Sequence, residues 1–171
     1  MRKLLFVLLA SLLLLSIGCD KEEITRVEVI DPEWATVVTT PATGTPQEQI
    51  DRFVEVNDMD TVVTSSGLVY VIQQPGEGTK PTPSSTVSSR YRGYLVDGRV
   101  FDATDGGNAR QFPLDRVIPA WTEGVPLIAP GGRIWMLVRP SLGYGSAGRS
   151  NTIITGSSVM VFEIQLDEVL N

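Results

Sequence analysis

From Gly67 to Leu170 the chain is a succession of short apolar runs, each closed by turn residues. "LVYVIQQ" stops at "PGEG", "VSSRYRGYLV" stops at Asp97-Gly98, and "RVFDA" follows at once. "RIWMLVRP" and "VMVFEIQLDEVL" complete the set. Runs of this length, rich in β-branched and aromatic residues and bounded by Gly, Pro and Asp, predict five antiparallel strands. Asp97-Gly98 suits a type I′ hairpin turn, whose two central residues both need positive φ. Only "VIPAWTEGV", Val117 to Val125, breaks the rhythm. Pro119 stands where a helix starts and Gly124 where one ends, so the segment predicts a helix of barely two turns. The expected class is α+β: five or so antiparallel strands with one short helix.

Successive strand residues face opposite ways, so parity assigns the faces. Tyr91, Gly93 and Leu95 oppose Arg90 and Arg92, and the charged side is expected to meet water. In the last strand Met160, Phe162, Ile164 and Leu166 oppose Glu163, Gln165 and Asp167. Tyr91 and Phe162 therefore point inward, and the helix carrying Trp121 is the element available to lie across them. Trp135 shares parity with Arg133 and Arg139 and faces the other way, which calls for a cover. The segment from Ile24 to Met59 is the expected cover. Within it, "TPQEQIDRFVEVND" predicts a helix capped by Thr45, with Ile50, Phe53 and Val54 on one face. "ITRVEVIDPEW" alternates weakly and suits an edge strand.

The N-terminus predicts export. Arg2 and Lys3 precede the apolar run Leu4–Leu15, which has the length of a signal peptide and is short for a bilayer span. "LSIGC" then places Gly18 before Cys19, the single cysteine. This resembles a bacterial lipoprotein signal, implying lipidation of Cys19, attachment to a membrane of the cell envelope, and the outer membrane as the expected site. An ordinary secretory signal is the alternative. Loss of residues 1–18 removes two basic and no acidic residues, taking the net charge from −6 to −8. "CDKEE" reads either as a surface-export tag or as a solvated tether. The organisation expected is a signal peptide at 1–18, a tether at 19–45, a short helix with its lead-in at 46–66, and the main domain at 67–171.

Composition excludes some chemistry. With no histidine, Ser-His and Cys-His catalysis and the usual zinc sites are out of reach. One cysteine permits no intrachain disulfide. No basic cluster points to nucleic acid. No metal or cofactor is expected.

Three motifs in order, "YRGYLVDGRVFD" (Tyr91–Asp102), "FPLDRVIPAWTEGV" (Phe112–Val125) and "PSLGYG" (Pro140–Gly145), resemble the FK506-binding-protein family of peptidyl-prolyl isomerases, and the Mip-like bacterial members most. The resemblance spans about Gly67 to Leu170. It implies a half-open antiparallel five-stranded sheet wrapped around a short helix, and prolyl isomerisation, with proline-containing polypeptides as substrates and FK506-type macrolides as inhibitors. It implies Tyr91, Phe101, Asp102, Trp121 and Tyr144 as catalytic residues, and Phe112, Val117, Ile118, Ile154 and Phe162 as substrate-binding residues. Trp121 would be the pocket floor, while the Ile118 N–H and the Tyr144 hydroxyl would hydrogen-bond the ligand. Residue by residue, plain readings stand beside these: Trp121, Tyr91 and Phe101 as ordinary core, Asp102 as a loop cap. The chain departs from the family at Pro126, which should end or kink the short helix, and at Ala120, where many relatives carry glycine. Arg110 lies near the place of a second pocket phenylalanine. "SAGRSNTIITGSS" is the expected flap, with Arg149 and Ser150 at substrate contacts. A non-catalytic binding or chaperone module with the same pocket is the alternative function, and a purely structural surface lipoprotein a third.

Overall fold

The computed structural model describes residues 26–27, 34, 37–104 and 108–170. The signal peptide, Cys19 and the acidic stretch after it lie outside the described residues. The strands are β1 (Arg26–Val27), β2 (Val37–Val38), β3 (Val62–Val63), β4 (Val69–Gln74), β5 (Thr86–Leu95), β6 (Val100–Ala103), β7 (Arg110–Pro113), β8 (Arg133–Val138) and β9 (Met160–Val169). The helices are α1 (Pro46–Val56) and α2 (Pro119–Gly124). β1 pairs with β2, and the main sheet runs β3-β4-β8-β9-β5-β6, with β7 also on β5. Every pairing is antiparallel. The five expected strands are β4, β5, β6, β8 and β9. The short β3 and β7 extend them to seven, because the ten-residue β5 outruns four-residue β6 and its free edge pairs with β7 from Thr86 to Ser89.

One turn corrects the sequence reading. Gly98 has φ +87°, but Asp97 is not in the positive-φ region. The Gly98 N–H donates to Leu95 O (2.8 Å) and the Leu95 N–H to Arg99 O (3.0 Å). The connection is thus a three-residue loop, Val96 to Gly98, in which the glycine alone takes the left-handed conformation.

The sheet buries both faces. The front holds Tyr91, Leu95, Ile134, Met136, Phe162 and Ile164, against Trp121, Ala120 and Val125 of the α2 region. The back holds Tyr94, Trp135, Leu137 and Val161, against Val37, Ile50 and Phe53. Trp135 is therefore covered by residues of the segment expected to cover it. Part of the stretch read as a tether also packs: Val37, Thr39 and Thr40 are buried, and the Thr40 N–H donates to Val96 O. The charged parity of the sheet does not simply meet water either. Glu163 is buried, directly across from Arg92 and Trp135 on neighbouring strands. The Arg92 guanidinium lies 5.0 Å from the centre of the Tyr94 ring.

α1 is held at both ends. Thr45 Oγ1 accepts from the Glu48 N–H and Glu48 Oε2 accepts from the Thr45 N–H, a reciprocal capping box. Asn57 behaves like a strand residue toward β2, accepting from the Val38 N–H (2.7 Å) and donating to Val38 O (2.9 Å). Thr45→Ala is expected to lower stability by about 1 kcal/mol. The check is urea unfolding, in which the midpoint falls while the denaturant slope stays constant.

Candidate active site

α2 is six residues long and cannot persist on propensity alone. Pro119 at its first turn costs no hydrogen bond there, and Ile118 precedes it in extended conformation. Pro126 converts the exit into the 3₁₀ turn Val125–Leu127, the break expected of it. Thr122 Oγ1 donates to Leu114 O (2.6 Å), tying the helix to the turn before it. Gly124 allows the helix to sit down on the sheet, since a Cβ there would meet Met136 Sδ at 2.2 Å.

Seated this way, α2 drives its indole into an aromatic box. Trp121 meets Tyr91 edge-on at 5.1 Å between ring centres, Phe112 at 5.1 Å and Phe162 at 5.7 Å. Phe101 stands edge-on to Phe162 at 5.5 Å. That pair exists because Gly93, between them on β5, has no side chain: a Cβ would lie 2.6 Å from Phe101 and 3.0 Å from Phe162. These rings and the chain leading into α2 line an open cavity of about 490 Å³.

The polar groups gather on one wall. Tyr91 donates its hydroxyl proton to Asp102 Oδ2 at 2.6 Å. Arg110 Nη1 reaches Asp102 Oδ1 and the Tyr91 hydroxyl oxygen, both at 3.4 Å, and its Nη2 donates to Ala103 O at 2.9 Å. Burial, and then the bond to Asp102, push the Tyr91 hydroxyl well above the usual phenol range, so it remains a donor at any physiological pH. Tyr144 follows the turn Pro140–Leu142 and Gly143. Its hydroxyl accepts from Arg149 Nη1 at 3.3 Å, and that guanidinium lies 5.4 Å from the ring centre. The Ile118 N–H has no acceptor among the described residues and borders the cavity.

Of the residues singled out from sequence, Tyr91, Phe101, Asp102, Phe112, Val117, Ile118, Trp121, Tyr144 and Phe162 line this one cavity. Ile154 does not. It is buried in the front core, and its carbonyl accepts from the Arg149 N–H, so it shapes the flap from behind. Of the two flap residues, Arg149 lines the cavity and Ser150 does not. Sequence reading missed Arg116, Pro119 and Gly143 on the wall. Their adjacency to Val117, Ile118 and Tyr144 was the available signal.

Comparison with known proteins gives the family and the fold. The family model for FKBP-type peptidyl-prolyl cis-trans isomerases matches residues 77–167. The FKBP-type peptidyl-prolyl cis-trans isomerase FkpA of Escherichia coli K12 is 39% identical over 124 residues, covering 72% of this chain and 44% of the relative. A probable FKBP-type isomerase of Haemophilus influenzae is 38% identical over 111 residues, covering 64% and 46%. This chain thus spans somewhat under half the length of these curated relatives. Among solved structures, FkpA from Escherichia coli superposes with a TM-score of 0.66 at 38% identity, covering 72% of this chain and 57% of that one. A peptidyl-prolyl cis-trans isomerase from Pseudomonas syringae pv. tomato superposes at 0.64 and 26% identity, covering 76% and 96%.

Proposed function

Because the chain belongs to the FKBP-type peptidyl-prolyl cis-trans isomerase family and shares its fold, we propose that it accelerates rotation about X-Pro bonds in extracytoplasmic polypeptides. The observation that carries the proposal is the aromatic cavity lined by Trp121, Tyr91, Phe101, Phe112 and Phe162, whose lining also includes Tyr144, Ile118 and Asp102. Amide resonance opposes rotation by about 18–20 kcal/mol, and X-Pro exchange takes tens of seconds or more. Twisting the bond removes the resonance and its charge separation, so the transition state is less polar than the planar amide. A dry aromatic cavity therefore penalises the twisted form less than the planar one, relative to water. A 10⁵-fold acceleration needs only ~7 kcal/mol of such differential binding.

No nucleophile and no proton transfer enters this scheme. The proline ring packs on the Trp121 face among Tyr91, Phe101 and Phe162. The Ile118 N–H and the Tyr144 hydroxyl supply donors to the backbone beside it. Asp102, held by Tyr91 and Arg110, keeps a carboxylate next to the reacting carbonyl. As twisting draws electron density off the carbonyl oxygen, repulsion from that carboxylate eases, which again favours the contorted geometry. Cys19 is the proposed lipid attachment, placing the domain at the envelope, on the outer membrane in our reading. FK506-type macrolides would occupy the same cavity and change Trp121 fluorescence.

A protease-coupled assay on a proline-containing peptide tests the activity. Asp102→Ala combined with Tyr144→Phe is expected to lower kcat/KM about tenfold or more, ~1.4 kcal/mol of transition-state stabilisation. No acceleration by the unaltered protein, or full activity in the double variant, rejects the reading.

A further inference from the structure

The cavity's lip carries a charge pattern that its apolar floor does not explain. The chain is acidic, with net charge −6. Yet the charged side chains lining the cavity are one carboxylate, Asp102, and two guanidinium groups, Arg116 and Arg149. The carboxylate is already engaged, by the Tyr91 hydroxyl at 2.6 Å and by Arg110 at 3.4 Å. The two arginines are not matched in this way. Elsewhere Arg90 pairs with Asp167 at 2.9 Å and Arg99 with Asp97 at 2.7 Å. No carboxylate among the described residues lies within ion-pair distance of Arg116 or Arg149. Arg149's polar contact is the neutral Tyr144 hydroxyl.

The two cations come from different walls. Arg116 ends the 3₁₀ turn Leu114–Arg116 and directly precedes Val117 and Ile118. Arg149 stands on the flap beyond Tyr144. Both are exposed, so their head groups are hydrated but free to pair. With Asp102 already paired, the unpaired charge on the lining is positive, and a hollow of low dielectric focuses that field at its mouth. Guanidinium groups in particular offer a planar fork that fits a carboxylate. The counter-charge missing from the protein is thus best supplied by what enters the hollow, and the concave aromatic wall selects a polypeptide segment over a flat anionic surface.

We propose that Arg116 and Arg149 are specificity-determining residues that favour proline segments bearing Asp or Glu beside the proline. The inference rests on the isomerase reading and deepens it by naming the substrate class. Arg116 recruits the carboxylate from the Ile118 side, and Arg149 from the Tyr144 side.

The test compares kcat/KM of the full protein on three peptides of one core sequence, with Glu, Gln or Lys beside the proline. At low salt the Glu peptide should exceed the Lys peptide by about three- to tenfold, the range expected of two exposed ion pairs. At about 1 M salt, where screening acts within about 3 Å, the ratio should fall toward one. Arg116→Gln and Arg149→Gln should each reduce the ratio, the double variant should remove it, and Arg116→Lys should retain part of it. Because Arg149 also touches Tyr144, the ratio between peptides is the readout, not the absolute rate. Turnover of the Gln peptide without Glu-over-Lys discrimination, or a ratio unchanged in the double variant, overturns the charge preference and leaves the isomerase reading standing. No turnover of any peptide overturns both.

Discussion

Trp121→Ala is expected to remove most of the proposed isomerase activity and to lower the melting temperature by about 10–20 °C, the equivalent of about 3–5 kcal/mol. The indole is 4% exposed and makes edge-on contacts with Tyr91, Phe112 and Phe162. Each such pair contributes roughly 0.5–1.5 kcal/mol beyond the area it buries. α2 has six residues and no side-chain cap, so its position depends on what it buries. Losing the indole therefore acts twice. It leaves a void at the floor, and it loosens the element that presents the Ile118 N–H. Turnover of the peptide should fall by about two orders of magnitude, ~2.7 kcal/mol in the transition state. Trp121→Phe is the companion variant: it keeps an aromatic floor and should recover most of the stability. Calorimetry and the peptide assay on both variants decide the matter, and a folded, fully active Trp121→Ala protein would refute the floor role.

Phe53→Ala is expected to cost a similar 3–5 kcal/mol while sparing activity. Phe53 and Ile50 are fully buried against the back of the sheet, in the cluster that includes Trp135. The cavity lies on the opposite face, so the variant separates stability from catalysis. As α1 loosens, Trp135 should meet water and its emission should shift to the red. Repeating the measurement in a Trp135→Phe background assigns the shift, since Trp34 and Trp121 also emit. Peptide turnover, measured well below the melting transition, should remain within about twofold, as expected of a site in a separate contact cluster. An unchanged spectrum with unchanged stability would mean that α1 contributes nothing to this face.

Some of this architecture was legible from local pattern. The five apolar residues Ile134 to Val138 of β8 cannot all face one side, so burial on both faces was implied, and the Ile50–Phe53–Val54 stripe was the available partner. The capping box at Thr45 and Glu48 fixes where α1 begins without any tertiary help. Other features had no local signal. β7, "RQFP", does not alternate in burial and ends in proline; it is a strand because β5 leaves an unpaired edge beside it. The Asp97-Gly98 turn follows from the pairing of Leu95 with Arg99 and a register shift after Gly93, not from the dipeptide alone. Ile154 carries the right residue type for a wall, yet its backbone serves the flap and its side chain enters the core.

From its residues alone the chain determined the five longer-patterned strands β4, β5, β6, β8 and β9, helices α1 and α2, and which residues of a strand share a face, because periods of two and 3.6 residues are properties of neighbouring positions. The aromatic members of the cavity followed from that alternation together with the order of three motifs. Tertiary structure alone decided the company those residues keep. It set the hydroxyl of Tyr91 on Asp102 with Arg110 behind, turned Ile154 away from the wall, and left Arg116 and Arg149 at the lip without a carboxylate. Such distances join residues from separate strands and loops. They depend on register and loop packing, which no single stretch of sequence specifies.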